Sequence, residues 1–135
     1  MRRLTLWLCM GLAFLSAPAY ANYVREYSEA EKQEASDLIV VGTVTGFHEK
    51  TEPSRLTGLT FDLTVHYAEV SIKTNVKGAS AKTINVVSDS GISEIALRNL
   101  KIGESYRFYL TSLKDGSYMS VNGSFGVLPV TPPIQ

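Results

Sequence analysis

The run from Ser36 to Phe47 constrains the fold of this chain more than any other stretch. It is rich in valine, isoleucine and threonine, and Gly42 and Gly46 interrupt it. β-Branched residues favour strands, and glycine inside a strand is typical of a bulge, a sharp bend or a close approach of backbones. A small, strongly coiled barrel needs a long, bent first strand of this kind. The sequence therefore predicts a barrel built around it.

The chain begins with the pattern of a signal peptide. Arg2 and Arg3 form a charged start, Leu4–Leu15 is apolar, and Ala19-Tyr20-Ala21 places small residues where a signal peptidase reads the chain. An uncleaved anchor is the alternative, but the apolar run is shorter than the roughly 20 residues that span a bilayer. We therefore expect residues 1–21 to be removed. The protein is then exported, to the periplasm or the extracellular space, without stable membrane insertion.

Residues 22–135 form one predicted domain, since no repeat, linker or low-complexity tract divides them. The only cysteine, Cys9, lies in the predicted signal peptide, so the exported domain contains no disulfide. The whole chain has 13 basic and 13 acidic residues, and removal of the signal peptide leaves a slight acidic excess. A nearly neutral surface attracts phosphate backbones weakly, so we expect no nucleic-acid partner.

The predicted elements begin with a short helix. Ser28 and Glu31 match a capping box, and the helix is expected to end near Ala35 or Ser36. After the first strand, His48–Gly58 is predicted to be a polar loop, because it contains a proline and ends in a glycine.

Alternating apolar residues predict the other strands. The second strand runs from Leu59 to Lys77, with a β-bulge after Ala68, where the alternation changes phase. The remaining predicted elements are, in order, a third strand over Thr83–Ser88, a helical turn over Ser93–Leu100, a fourth strand around Tyr106–Leu110, a hairpin turn at Lys114–Ser117, a fifth strand over Tyr118–Leu128 and an extended tail from Pro129 outside the sheet.

Together these elements predict a mainly β fold, a small five-stranded OB-like barrel with a short N-terminal helix. A helix ahead of the first strand and a hairpin between the last two strands agree with that architecture. A two-sheet sandwich is the alternative that the same strand pattern leaves open.

Three stretches carry a resemblance to a known family. Ser36–Val44 looks like a first strand, Val70–Gly78 ends in Lys-Gly, and Leu100–Leu110 contains a Leu-x-x-Gly-x-x-Tyr pattern. In these features the chain resembles the netrin-like domains, the group that includes the tissue inhibitors of metalloproteinases. The resemblance covers most of the predicted domain. It implies an OB-like barrel and, as a hypothesis, inhibition of a metalloendopeptidase through the N-terminal edge.

The N-terminus departs from the pattern of that family. Its inhibitors begin with a cysteine whose amine and carbonyl chelate the protease zinc, whereas the predicted N-terminus here is Asn22. In the family, the N-terminal segment and the loops after the first strand form the contact edge. By that resemblance, the candidate binding residues are Asn22, Tyr23, Val24, His48, Glu49 and Lys50.

The sequence offers no set of residues suited to catalysis. His48 and His66 are the only histidines, and Asp62 lies about 13 Å from His66 along the predicted strand, too far for an acid–base pair. No spacing of Cys, His, Asp or Glu matches a metal site, so no metal or other cofactor is expected. We therefore predict that the protein is not an enzyme.

The predicted function is that of an exported binding module whose partner is a protein, either a protease or a surface protein. Aromatic residues leave a further alternative, because OB barrels bind sugars and extended chains on aromatic faces. The same residues packed in the barrel core are the competing interpretation. A carbohydrate- or peptide-binding face would use Tyr67, Tyr106, Phe108, Tyr109 and Tyr118.

Overall fold

The computed structural model describes residues 25–56, 58–89, 97 and 99–130. Among these residues, no helix is long and apolar enough to cross a membrane. In chain order the elements are helix α1 (Glu29–Ala35), strands β1 (Leu38–Leu56), β2 (Leu59–Lys77), β3 (Thr83–Asp89), β4 (Ser105–Ser112) and β5 (Tyr118–Ser120), a 3-10 helix (Gly123–Gly126) and strand β6 (Val127–Pro129).

Five of the strands close into a barrel. Their order is β1-β2-β3-β5-β4, and β4 returns to pair with β1 over Leu38–Thr43. The pairing of β3 with β5, between Val86 and Tyr118, is parallel, and the other ladders are antiparallel. The short β6 pairs with β4. The described part of the chain is therefore mainly β, with an OB-like five-stranded barrel and a short helix before it, and the predicted fold class is confirmed.

Gly42 lies at a bend of β1, in the part of that strand that pairs with both β2 and β4. A Cβ atom here would lie 2.5 Å from Val70 Cγ1 and 2.8 Å from the Ser71 carbonyl oxygen. The register of β1 against β2 shifts at Gly42, and a later shift leaves Thr45 without an opposite residue. The predicted close approach of backbones is confirmed, and the bulges supply the coiling that closes a small barrel.

The barrel interior is filled by apolar side chains from all five strands. In β2, Tyr67 and Ala68 are both buried, although neighbouring strand residues point to opposite faces. The predicted change of phase at Ala68 is therefore confirmed, but the predicted bulge of β2 after Ala68 is not found. The register shifts on either side leave residues of the two neighbouring strands without an opposite residue, Thr45 in β1 and Ser88 in β3. The interior residues with no exposed surface are Val40, Val44, Ala68, Val70, Val86, Phe108 and Leu110.

Helix α1 begins and ends as predicted. The Ser28 hydroxyl accepts a hydrogen bond from the Glu31 amide, and the Glu31 carboxylate accepts one from the Ser28 amide, which completes the capping box. Hydrogen bonds from Arg25, 2.7 Å away, and from Ser28 lower the pKa of the Glu31 carboxyl to about 2. The helix ends at Ala35.

Side chains beneath α1 attach it to the barrel. Tyr109 on β4 is fully buried and donates a hydrogen bond to the Glu29 carboxylate, while the Arg107 guanidinium lies 5.5 Å from the Tyr109 ring. Lys32 is also buried, with its ammonium 3.8 Å from the Glu26 carboxylate. A helix this short is marginal in isolation, so these contacts supply its stability.

Loss of the Tyr109 hydroxyl is expected to loosen this helix in a pH-dependent way. Because Glu29 is half-exposed, Tyr109→Phe should lower the free energy of unfolding by only about 1 kcal/mol at neutral pH. The hydrogen bond from Tyr109 lowers the pKa of Glu29 in the folded protein. Its contribution is therefore present above the ordinary carboxyl pKa and is lost as the pH falls through the lowered value.

Denaturant unfolding of the wild type and of Tyr109→Phe, from about pH 7 down to about pH 2, measures this effect. Tyr27→Phe is the matched control, because Tyr27 packs against the same apolar cluster as Tyr109. The control should change stability less, and by the same amount at every pH. Parallel pH profiles for the two variants would contradict the role assigned to Glu29.

The prediction of a polar loop over His48–Gly58 is wrong. β1 continues to Leu56, and only two residues connect it to β2. This part of β1 is held by backbone pairing with β2 along its whole length. Because residues 48–53 are exposed, the sequence there carries no apolar alternation, and its charged and polar residues are compatible with a strand.

The prediction of one fifth strand over Tyr118–Leu128 is also wrong. Asn122 has a left-handed backbone, with φ of 65°, and the chain then turns into the 3-10 helix. β5 therefore ends at Ser120, and β6 begins at Val127.

Pro129 was expected outside the sheet, but it ends β6 opposite Tyr106, so that expectation is corrected as well. A proline is tolerated here because it needs no donor where its nitrogen faces away from the neighbouring strand. The third strand and the hairpin turn at Lys114–Ser117 are confirmed. The predicted helical turn over Ser93–Leu100 falls largely outside the described residues.

Candidate functional site

The hairpin of β1 and β2 extends well beyond the barrel. β4 pairs with β1 only as far as Thr43, and β3 pairs with β2 only from His66 onward. Past these points, among the residues that the structure describes, the two strands pair only with each other. We call β1 from Phe47 onward and β2 up to Val65 the arm. The stretch in which neither strand has a further neighbour comprises seven residue pairs, from Lys50 opposite Val65 to Leu56 opposite Leu59, and at about 3.3 Å per residue it is about 20 Å long.

One face of the arm is apolar. Leu59, Phe61, Leu63 and Val65 alternate along β2 and therefore share this face. Leu59 is 70% exposed and Phe61 is 42% exposed, whereas the other two are partly buried nearer the barrel. Contiguous exposed apolar residues mark contact surfaces in soluble proteins, so we take this face as the candidate functional site.

The other face of the arm is polar. Thr60, Asp62 and Thr64 alternate along it, and all belong to β2. Pro53 and Thr51 of β1 lie opposite Asp62 and Thr64, and the two threonine hydroxyls are 3.0 Å apart. One face of the arm is therefore polar, whereas the other carries the apolar stripe of β2 beside Lys50 and Glu52 of β1, which lie opposite Val65 and Leu63.

Two histidines lie at the base of the arm, one on each face. His48 stacks on Tyr67 with 5.2 Å between ring centroids, and it lies 3.9 Å from the Glu69 carboxylate. His66 lies 3.7 Å from the Glu49 carboxylate. These contacts join β1 to β2 where the arm leaves the barrel, and they become ion pairs when the imidazoles are protonated.

The turn between β4 and β5 approaches the base of the apolar face. Its Asp115 carboxylate accepts hydrogen bonds from the Ser117 hydroxyl and amide, which lower the pKa of that carboxyl. Burial raises the pKa of Tyr67, and Asp115 and Glu52 raise it further. Glu52 also pairs with Lys50 at 2.7 Å and raises the pKa of that lysine. Lys50 and Glu52 lie opposite Val65 and Leu63, so charged residues of β1 border the apolar stripe of β2 along its inner half.

Of the predicted binding residues, the three that the structure describes do not share one face. His48, Glu49 and Lys50 occupy successive positions in β1, so Glu49 points to the face opposite the other two. All three are exposed, but they lie in a strand and not in the expected loop. The other three, Asn22, Tyr23 and Val24, lie outside the described residues.

A cleft of about 300 Å³ opens beside β6, with Tyr106 in its wall. The Tyr106 hydroxyl accepts a hydrogen bond from the Lys101 amide at 2.9 Å and lies 3.2 Å from the Asn99 carbonyl oxygen. It also lies 3.1 Å from the Glu104 carboxylate, and burial raises its pKa. Because neighbouring groups engage this hydroxyl, we assign Tyr106 a structural role.

The aromatic residues considered as a binding face are interior. Tyr106, Phe108 and Tyr109 are at most 4% exposed, Tyr67 is 8% exposed, and Tyr118 packs against the core. Within the described part of the chain, no group of three or more His, Cys, Asp or Glu side chains is placed to hold a metal ion. These aromatics therefore build the barrel and do not form an exposed platform.

The sequence predicts which residues share the apolar face, but it does not predict their exposure. The alternation over Leu59–Val65 indicates a half-buried strand, whereas Leu59 and Phe61 are exposed. Periodicity shows which side chains lie together and gives no information on what packs against them. The signal for the hairpin is Gly58, whose φ of 79° suits a two-residue connection between paired strands.

The apolar face of the arm is thus the described surface with the clearest character of a contact site. It is contiguous, it lies on a hairpin that projects from a closed barrel, and the opposite face of the same hairpin is polar. Comparison of the chain with protein-family models, with curated proteins and with solved structures finds no match.

Proposed function

We propose that this protein is an exported, non-catalytic binding module that contacts a protein partner through the apolar face of the arm. The observation that supports the proposal is the stripe Leu59–Val65, whose outer residues Leu59 and Phe61 are exposed. Burial of each of these side chains against a partner would contribute about 1–2 kcal/mol, since neither is fully exposed at the start.

The chemistry around the stripe resembles that of a protein interface. Such interfaces place apolar and aromatic residues at the centre and polar groups at the rim. Here Phe61 and Leu63 lie at the centre, and the ion pair of Lys50 and Glu52 lies beside them on β1. The nearly neutral composition also favours a protein partner over a phosphate-rich polymer.

Binding is expected to depend on the apolar face and not on the polar face. The double variant Phe61→Ser, Leu63→Ser should weaken partner binding at least about tenfold, because a few central side chains carry most of the affinity of an interface. Its matched control on the polar face is Thr60→Ser, Thr64→Ser, which should bind as the wild type does.

The measurement has two steps. The immobilised protein retrieves partners from the exported fraction, and each retrieved protein is then purified and titrated against the wild type and both double variants by calorimetry. Circular dichroism confirms that the variants are folded. Equal affinities for the two double variants would contradict a contact through the apolar face.

Export itself is tested by sequencing the N-terminus of protein recovered outside the cytoplasm. The pattern around Ala19-Tyr20-Ala21 leads us to expect a mature chain that begins at Asn22. Retention of the apolar run Leu4–Leu15 would contradict the proposed compartment.

Inhibition of a metalloendopeptidase through the N-terminal edge is a second candidate, and one contact favours it. The Asn122 side chain accepts a hydrogen bond from the Tyr27 amide at 2.7 Å and donates one to the Arg25 carbonyl at 2.8 Å. The chain is therefore anchored just after the predicted N-terminal segment, and anchoring reduces the entropy lost on binding. Together with the OB-like barrel, this agrees with the resemblance to netrin-like domains.

A panel of zinc endopeptidases tests this candidate. A chain that begins at Asn22 should inhibit, and a chain with one extra residue before Asn22 should not, because the added residue displaces the amine. Failure of both forms would remove the inhibitor hypothesis and leave the binding module. The carbohydrate- or peptide-binding alternative has less support, because the aromatics it requires are interior.

A further inference from the structure

The two edges of the arm differ in how well they resist pairing with another strand. The β1 edge contains Glu49, Lys50 and Pro53, and natural sheets use such charges and prolines to block strand addition. The β2 edge, Leu59–Val65, has the sequence Leu-Thr-Phe-Asp-Leu-Thr-Val, with a single charge and no proline. A short segment with high β-propensity and low charge is the kind that accepts a further strand.

Backbone direction shows which groups this edge presents. The Ile72 amide donates to the Lys82 carbonyl oxygen at 2.8 Å, on the side of β2 that faces β3. Alternate residues of a strand point their N–H and C=O groups to the same side. By that alternation, the same side of β2 receives the backbone N–H and C=O groups of Thr60, Asp62 and Thr64. This is the side that β3 would occupy, but β3 does not reach this far.

Pro53 supports the same assignment. It lies opposite Asp62 in the β1–β2 ladder, and a proline is accommodated where its nitrogen faces away from the partner strand. The backbone groups of Asp62 therefore also face away from β1, toward the β2 edge. The short distance between the Thr51 and Thr64 hydroxyls, 3.0 Å, fits a pair of this type, in which side chains approach closely.

From these observations we propose that the β2 edge of the arm, Leu59–Val65, pairs antiparallel with the same edge of a second copy of this chain. The result is a four-stranded ribbon. The proposal rests on the proposed function in one respect, that the arm is the contact surface of the molecule. A two-stranded ribbon is marginal in water, and pairing gives each arm the further strands that make a sheet stable.

The sequence of the edge favours a dimer register centred on Phe61 over one centred on Asp62. A two-fold axis at Phe61 places Phe61 opposite Phe61 of the second copy, Thr60 opposite Asp62, and Leu59 opposite Leu63. Aromatic pairs and threonine–carboxylate hydrogen bonds across strands are favourable. An axis at Asp62 would instead place two carboxylates directly opposite each other, which is destabilising.

The same arrangement explains why association stops at two copies. Once the β2 edges are paired, the outer edges of the ribbon are the two β1 edges, which contain Lys50 and Pro53. Those edges resist a further strand. The contact uses the same patch on both copies, so it closes on itself and forms no filament. The apolar faces of the two arms then lie side by side and remain available to a different partner.

Sedimentation velocity of the exported protein, from about 1 µM to about 1 mM, tests the proposal. We expect a concentration-dependent shift from monomer to dimer. Thr60→Pro removes a donor from the paired edge without touching the arm's own ladder, and it should weaken dimerisation at least about tenfold. Thr51→Pro does the same on the β1 edge and is the matched control, with unchanged dimerisation expected.

A charge exchange at Phe61 tests the register without relying on proline. Phe61→Lys alone and Phe61→Glu alone should each be monomeric, because like charges meet across the axis, and an equimolar mixture should form a heterodimer. The proposal would be overturned if the wild type stayed monomeric at every concentration. It would also be overturned if Thr51→Pro and Thr60→Pro dimerised equally well. A monomer that still binds its partner through Phe61 and Leu63 would leave the proposed function intact, and a dimer without such binding would overturn only that function.

Discussion

Gly42→Ala is expected to lower the free energy of unfolding by about 2–3 kcal/mol, the upper part of the range for overpacking. The added Cβ would lie 2.8 Å from the Ser71 carbonyl oxygen, which is backbone, and 2.5 Å from a methyl group of Val70, which is fully buried. Neither atom can move without disturbing the β1–β2 ladder at the bend. Urea unfolding followed by circular dichroism measures the loss.

Gly46→Ala is the matched control for that substitution. It lies in the same strand, but the nearest atom to its added Cβ is the Glu69 carboxylate oxygen at 3.3 Å, the end of a flexible and exposed side chain. We expect a change of less than about 0.5 kcal/mol, since surface changes of this kind are nearly neutral. Similar losses at both glycines would show that strand propensity, and not the close approach, determines the effect.

Phe108→Ala is expected to have the largest effect of any substitution considered, a loss of about 3–5 kcal/mol. Phe108 has no exposed surface and lies at the centre of the barrel, where its ring packs edge-on against Tyr106 with centroids 5.9 Å apart. Truncation would leave a cavity that a closed barrel cannot readily collapse to fill. Such a loss is a large part of the total stability of a domain this size.

The same truncation on the arm, at Phe61, should hardly change the stability of the isolated protein. Phe61 is 42% exposed, so we expect Phe61→Ala to lower stability by less than about 1 kcal/mol. Thermal unfolding of both variants measures the contrast. A loss at Phe61 as large as the loss at Phe108 would mean that the apolar face is covered in the folded monomer, which contradicts its assignment as a contact surface.

Local signals in the sequence predict much of the barrel. The capping box at Ser28 and Glu31 places the helix, because two side chains must meet two specific amides there. The alternation around Phe108 places β4, because one face of that strand is buried along its length. Gly42 signals a close approach of backbones, which the space around it confirms. Each of these signals reports an interaction made within a few residues or by one buried face.

The arm is the part that sequence reasoning missed. Residues His48–Pro53 are exposed, and the strand conformation of His48–Leu56 comes from hydrogen bonds to β2, which hydropathy does not reveal. The sequence therefore predicts the candidate site on a loop and at the N-terminus, and it predicts a half-buried strand over the stripe Leu59–Val65. A pattern of alternation defines a face, and only the three-dimensional arrangement shows whether anything covers it.

The division of the last strand was missed for a different reason. Val121 and Val127 continue the apolar alternation, so nothing in hydropathy marks a break between them. The break is made by the backbone of Asn122, whose φ is 65°, and asparagine tolerates this conformation without requiring it. The bend is selected by the contacts of its side chain, which lie far away in the sequence.

Those contacts of Asn122 determine when the protein can finish folding. The side chain joins residues about 95 positions apart, since it binds Tyr27 and Arg25. A ribosome synthesises this lead-in long before it reaches Asn122. The β1–β2 hairpin, whose contacts are local, can assemble early, whereas Arg25 and Tyr27 stay undocked until Asn122 has emerged. The lead-in of the nascent protein is therefore open to cellular machinery while the whole barrel sequence ahead of Asn122 is being made.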